Sequence, residues 1–216
     1  MSREDKYYLV RERILEWYKD NKRDFPWRKS KSLFQILITE ILLQKTIALN
    51  VKNIYNDFFT KYPDFSKINN TDLTKLQSDI KSLGLSNKRA KILKDLSKMI
   101  ITDYEGEIPH DPEMLRKING IADYVSNAFV CFGLNHRTFF IDVNIKRFIQ
   151  RIFTPQDEKV NLKTIYTELD KLLPKNDFKY LYWAILDFGY LICSKNKPKC
   201  ELCPISDNCF YFLNLP

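Results

Sequence analysis

Apolar residues recur at helical spacing along nearly the whole chain. Tyr7, Val10, Ile14 and Trp17 step by three and four positions, and Leu33, Ile36, Leu37 and Ile41, with Gln44 on the same face, resume the pattern after the break at Phe25-Pro26-Trp27-Arg28. Val51, Ile54, Tyr55 and Phe58 predict a third helix, and Leu73, Leu76 and Ile80 a fourth. Ser86 stands where an N-cap belongs, ahead of a long helix through Ala90, Leu93 and Leu96 to about Tyr104. Further helices are expected over 112–118, 124–132, 143–153, 161–173 and 176–191. No stretch alternates with period two, so the expected fold class is all-α. The turn-rich stretch from Tyr104 to Pro112 reads as a surface connection, and no repeat or low-complexity linker divides the chain.

Composition narrows this picture. The 216 residues carry 35 Lys and Arg against 27 Asp and Glu, a net charge of +8, and 44% are hydrophobic, which excludes a disordered chain. Only 5 glycines are present, too few for a phosphate-cradling loop or a dinucleotide fingerprint. The charged start Met1-Ser-Arg-Glu-Asp-Lys6 lacks a signal peptide, and apolar runs are too short to span a bilayer. A cytoplasmic protein without a membrane partner is expected. Four of the five cysteines, Cys193, Cys200, Cys203 and Cys209, fall in the last 24 residues, where a reducing compartment favours a metal site over disulfides. A basic chain with a terminal metal knot points to nucleic acid.

The cysteine spacing is C-x6-C-x2-C-x5-C. A zinc ribbon offers two short C-x-x-C knuckles, and only Cys200 and Cys203 form one; four thiolates on a compact loop also suit a [4Fe-4S] cluster. Lys195, Lys197 and Lys199 lie within the first loop, either as phosphate contacts or as a solvated charge run. Cys131 sits in an apolar helix and reads as core. Leu115 to Ser126 reads as helix, tight turn around Gly120, helix. Asp142, after Phe139-Phe-Ile and before an amphipathic helix, is in N-cap position, where a helix N-terminus favours the ionised carboxylate. Glu40 is an acid on an apolar stripe, either paired with a structural Arg or desolvated with a raised pKa, as a proton donor requires.

Taken together, these motifs resemble the endonuclease III superfamily of DNA glycosylases, over about residues 11 to 209. The cysteine spacing is the one seen there. Leu115 to Ser126 is similar to its helix-hairpin-helix, which holds a DNA phosphate, often through a bound monovalent cation. Here Asn119 replaces the usual Pro, Ala122 replaces the second Gly, and Asp123 puts an anion where the phosphate belongs. Phe139 to Phe148 resembles the segment carrying the catalytic Asp, which makes Asp142 that residue, 22 positions after Gly120. The implied fold is two helical lobes: a six-helix barrel with the hairpin over 30–136, and a cluster lobe of 1–29 with 137–216, DNA lying in the cleft between them. A [4Fe-4S] cluster on Cys193, Cys200, Cys203 and Cys209 and a hairpin cation are the implied cofactors. The implied partner is double-stranded DNA with a mismatched or damaged base, bound by a monomer.

The resemblance also assigns roles. Bifunctional relatives carry at position 124 a Lys that attacks the sugar; Tyr124 cannot, so monofunctional hydrolysis is expected, with Asp142 stabilising the cationic sugar and Glu40 assisting departure of the base. Gln44 matches the wedge behind the flipped nucleotide. Trp27, Arg28, Ala48 and Trp183 are placed around the base, and Gly120, Ala122, Asn144, Lys146, Arg147, Lys195, Lys197 and Lys199 against DNA. Phe25-Pro-Trp-Arg28 and Ile38 to Thr46 resemble both the adenine glycosylases (MutY) and, more closely, the archaeal thymine mismatch glycosylases (Mig). Asn144-Ile-Lys-Arg147 resembles the adenine branch. Gly84-Leu-Ser-Asn-Lys-Arg-Ala90, Ala48 and the seven residues after Cys209 favour thymine or uracil opposite guanine, and Trp183 matches neither branch. Adenine opposite guanine or 8-oxoguanine is the alternative. A further alternative is a non-catalytic or redox-sensing iron-sulfur DNA-binding protein, which would be expected to lose Glu40 or Asp142, and both are present.

Overall fold

The computed structural model describes residues 2–155 and 160–214. In chain order its α-helices are α1 (Arg3–Asn21), α2 (Leu33–Leu43), α3 (Ala48–Lys61), α4 (Phe65–Asn70), α5 (Leu73–Asp79), α6 (Ser86–Asp103), α7 (Pro112–Arg116), α8 (Asp123–Phe132), α9 (Val143–Phe153), α10 (Leu162–Leu172), α11 (Phe178–Leu191) and α12 (Phe210–Leu213). Short 3-10 turns occupy Pro26–Arg28, Lys81–Leu83, Cys200–Leu202 and Ser206–Asn208, and no strand occurs among the described residues. No helix among them is long and apolar enough to cross a membrane.

The chain divides into two compact units, Met1–Arg23 with Ile141–Pro216, and Asp24–Phe140. The first break lies several residues before position 30, because Phe25 stacks on Trp27 at 4.5 Å and Trp27 leans on Tyr55 of α3, tying 25–28 to the helices that follow. The unit Asp24–Phe140 is built around α2. Every residue from Ile36 to Leu42 is buried, so this helix is enclosed on all sides, beyond the single apolar stripe that periodicity predicts. α3, α6 and α8 pack against it.

In the other unit α1 packs on α10 and α11, and α9 on α10, α11 and α12. A capping box opens α1: Asp5 N–H donates to Ser2 Oγ at 3.1 Å and Ser2 N–H to Asp5 Oδ2 at 2.9 Å. Inside, Tyr7 donates to the buried Glu168, which also pairs with Arg3.

Two expectations need correction. Ser86 is the first helical residue of α6 and not its cap; the cap is Leu85, in the left-handed region at φ 49°, because Gly84 at φ 70° turns the chain one residue earlier. The helix α4 falls in a stretch where none was expected. Its six residues bury only Phe65 and Ile68, too few to show a period, and Asp64 caps it by accepting from Lys67 N–H at 2.7 Å.

Candidate functional site

Asp142 caps α9, as its position predicts. Its Oδ1 accepts from the backbone N–H of Asn144 (2.9 Å) and Ile145 (2.7 Å), while its Oδ2 accepts from the Asn144 side-chain amide at 2.8 Å. Three donors therefore fix the carboxyl plane. The expected bias toward the ionised form is reversed on balance: burial raises the Asp142 pKa and outweighs the opposing cap bonds and the Arg147 charge. Asn144 Oδ1 in turn accepts from Arg147 Nη2 at 2.7 Å, and the same guanidinium donates to Gly189 O of α11 (2.7 Å) and to Cys193 O (2.8 Å). Gly189 is required at this crossing, since a Cβ there would lie 2.9 Å from Asn144 Cβ. Lys146 is exposed and its side chain is no part of this chain of bonds, although its backbone N–H closes the first turn on Asp142 O.

Cys193, Cys200, Cys203 and Cys209 line one recess, together with Arg151, Ile152, Phe188, Ile192, Lys199, Ile205, Tyr211 and Phe212. Among the described residues no three His, Cys, Asp or Glu side chains gather as a site for a single metal ion. Burial raises the thiol pKa values of Cys200 and Cys209 and pushes that of Cys203 to about 12. Arg151 Nη1 reaches Cys193 Sγ at 3.4 Å and holds Ser194 O at 2.7 Å, and its Nη2 holds Lys195 O at 3.0 Å. Ser194 Oγ donates to Lys197 O at 2.7 Å, and Lys199 N–H to Ile192 O at 2.9 Å. With the loop carbonyls so held, the side chains of Lys195, Lys197 and Lys199 are left at the surface of the loop, all three residues being exposed.

In the other unit the hairpin turn is closed by Ile121 N–H donating to Ile118 O at 3.0 Å, with Gly120 at φ 101°. A Cβ on Gly120 would overlap Ile92 Cδ1 and lie 2.6 Å from Ile92 Cγ1, so the turn sits directly on α6. Gln44, the C-cap of α2, donates from Nε2 to Gly120 O at 3.1 Å. Ala122 is the N-cap of α8 and offers no side-chain acceptor; Asp123 follows it and lies 3.4 Å from Arg116, which also pairs with Glu113.

Glu40 is 3% exposed within the enclosed stretch of α2. Tyr124, half-buried near the start of α8, meets Phe140 edge-on at 5.5 Å. Ala48 opens α3. Arg28 lies over the ring of Phe25 at 5.0 Å, beside Trp27. Trp183 is half-buried on α11, edge-on to Tyr180 at 5.5 Å. The structure thus joins Asp142, Asn144, Arg147 and the Cys193 loop in one unit, and Gln44 with Gly120 in the other. Sequence reasoning passed over Leu85, a left-handed residue whose large apolar side chain is 55% exposed, and the buried Arg89 beside it. The Gly84-Leu85 pair before a helix was the available signal.

A family model described as "HhH-GPD superfamily base excision DNA repair protein" matches residues 38–175. A "Thymine/uracil-DNA glycosylase" of Methanothermobacter thermautotrophicus is 37% identical over 201 residues, 92% of this chain and 91% of that protein. An "Adenine DNA glycosylase" of Buchnera aphidicola is 28% identical over 203 residues, 93% of this chain but 58% of that protein. Among solved structures, a thermostable thymine-DNA glycosylase superposes with a TM-score of 0.89 at 36% identity, covering 98% of both chains. A non-covalent endonuclease III–DNA complex superposes with a TM-score of 0.86 at 22% identity, covering 99% of this chain and 98% of that one, a likeness of fold.

Proposed function

Since the chain belongs to the HhH-GPD superfamily of base excision DNA repair proteins, we propose that it is a monofunctional DNA glycosylase that hydrolyses the bond between sugar and base at thymine or uracil opposite guanine. The observation that carries the choice of base is the 37% identity, over 92% of the chain, to a protein named thymine/uracil-DNA glycosylase. Adenine glycosylases match at lower identity and over a smaller share of their own length.

In this mechanism the base leaves first and the sugar develops positive charge. Asp142 stabilises that charge and orients the attacking water. Its carboxyl is held by three hydrogen bonds, so it need not reorganise as the cation forms. The burial that raises its pKa also strengthens its attraction for a cation, because the local dielectric is low. Glu40 assists departure of the base, a role lighter for thymine or uracil, which leave as delocalised anions. Tyr124 has no amine, so no Schiff base forms and the product is an intact abasic strand. Trp27, Arg28 and Ala48 shape the recess for the base, and Gln44 with Leu85 fills the space it vacates.

The hairpin around Gly120 and Ala122 contacts a phosphate. Arg116 draws the Asp123 charge aside. In this reading a monovalent cation would be held by the turn carbonyls of Ile118 and Gly120 and would supply positive charge for the phosphate. Cys193, Cys200, Cys203 and Cys209 hold a [4Fe-4S] cluster, which supplies a rigid anchor from which Lys195, Lys197 and Lys199 meet the backbone of DNA.

The test is a panel of labelled duplexes containing T·G, U·G, A·G or A·8-oxoguanine, treated with hot alkali to cut abasic sites. Release from T·G and U·G alone is expected. Release from the adenine duplexes alone would assign the chain to the other branch, and binding without release from any would make it a non-catalytic DNA-binding protein.

A further inference from the structure

Arg89 is a buried cation, 3% exposed, and burial is the influence that lowers its pKa. The acceptors that hold it are backbone carbonyls. Nε donates to Ile41 O at 3.3 Å, in the last turn of α2, and Nη2 to Gln44 O at 2.6 Å. Nη1 donates to Gly84 O and lies 3.5 Å from Leu83 O. The negative end of the α2 dipole and these oxygens compensate the charge without a carboxylate. One planar group thus fastens the turn that presents Gln44 to the turn that presents Leu85. Gln44 extends the connection through Nε2 to Gly120 O, and Ile92, one turn further along α6, lies against Gly120.

We infer that Arg89 is a positioning residue that sets Gln44, Leu85 and the Gly120 turn as one rigid probe of the duplex, and so controls extraction of the base and not the hydrolysis that follows. The inference rests on the reading of Gln44 and Leu85 as the groups that fill the vacated stack. An ammonium cannot span both turns: Lys at 89 keeps the charge at the end of α2 but loses the fork that joins 41–44 to 83–84. A paired thymine must then be extracted by a loosened probe, whereas a uracil opposite an abasic site, with no partner to hold it, needs little extraction.

The experiment compares single-turnover base release by Arg89→Lys and wild type on T·G duplex and on duplex with uracil opposite an abasic site, alongside amide hydrogen exchange of the free proteins. For Arg89→Lys the T·G rate is expected to fall at least about tenfold while the uracil–abasic rate stays within about threefold. Exchange should quicken at 44–47, 84–86 and 119–121 together. Equal loss of both rates, or exchange confined to 83–86, overturns the inference and leaves Arg89 a local cap. If Arg89→Lys does not fold, Gln44→Ala decides: quickened exchange at 119–121 with 84–86 unchanged supports the connection through Arg89 and Gln44, and unchanged exchange at 119–121 refutes it. Should the wild type release no base from either duplex, the glycosylase reading fails, and the exchange pattern still decides the inference.

Discussion

At the scale of single residues the chemistry depends on charge placed where water is scarce. In the proposed mechanism Asp142 acts as an anion, and burial raises its pKa, so the protonated form, inactive in that mechanism, accumulates at a higher pH than it would for an exposed aspartate. Base release should therefore fall on acidification through a midpoint above the ordinary aspartate range, read from single-turnover rates across pH. Asp142→Asn should bind mismatched DNA yet lose about three orders of magnitude or more in base release, with that acid limb gone. Retention of near wild-type rate would reduce Asp142 to a helix cap. Tyr124 gives the complementary expectation: borohydride should trap no covalent complex with the wild type, and Tyr124→Lys should gain measurable trapping. Efficient trapping by the unaltered protein would overturn the monofunctional assignment.

At the scale of elements, the crossing of α9 and α11 positions that carboxylate. Gly189 lets the helices approach until Asn144 reaches both Asp142 and Arg147, and Arg147 binds Gly189 O. Gly189→Ala forces a methyl to 2.9 Å from Asn144 Cβ, which is fixed to the backbone and cannot swing aside. The helices must part, at a cost of about 1–3 kcal/mol, and base release should fall more than duplex binding, measured as rate against Kd. Unchanged kinetics with a lowered Tm would confine Gly189 to packing. These elements were unequally legible in sequence. The cap Asp142, the hairpin glycine and the long apolar periods of α6 and α9 are local signals, and the sequence predicts them directly. What it hides is pairing at a distance: Arg147 finds Cys193 O 46 positions away and Arg89 finds Ile41 O 48 positions away, bonds to carbonyls that no residue type announces. The enclosure of α2 was equally hidden, since Glu40 lies among residues whose neighbours come from three other helices.

At the scale of the whole molecule, a net charge of +8 suits a DNA partner, and in the proposed function the lysines of the loop between Cys193 and Cys200 meet its backbone. Each phosphate neutralised should contribute about 0.9 to the slope of log K against log salt, so replacing Lys195, Lys197 and Lys199 by Ala should flatten that slope by roughly one unit for each phosphate no longer bound, with base release at saturating enzyme little changed. The loop that carries these lysines is held at its backbone by Arg151, Arg147, the Ser194 hydroxyl and the Lys199 N–H. In the proposed function a cluster on Cys193 and Cys200, which bracket the loop, would add to that hold. Protein purified without oxygen should contain about four iron atoms per chain and show the broad visible absorption of an iron-sulfur centre. Cys203→Ser should lose iron, lower the Tm and flatten the salt dependence of binding in the same way as loss of the three lysines, because the same loop is released. A colourless protein with a single zinc ion would refute the cluster, and a Cys203→Ser variant with unaltered salt dependence would separate the cluster from DNA binding.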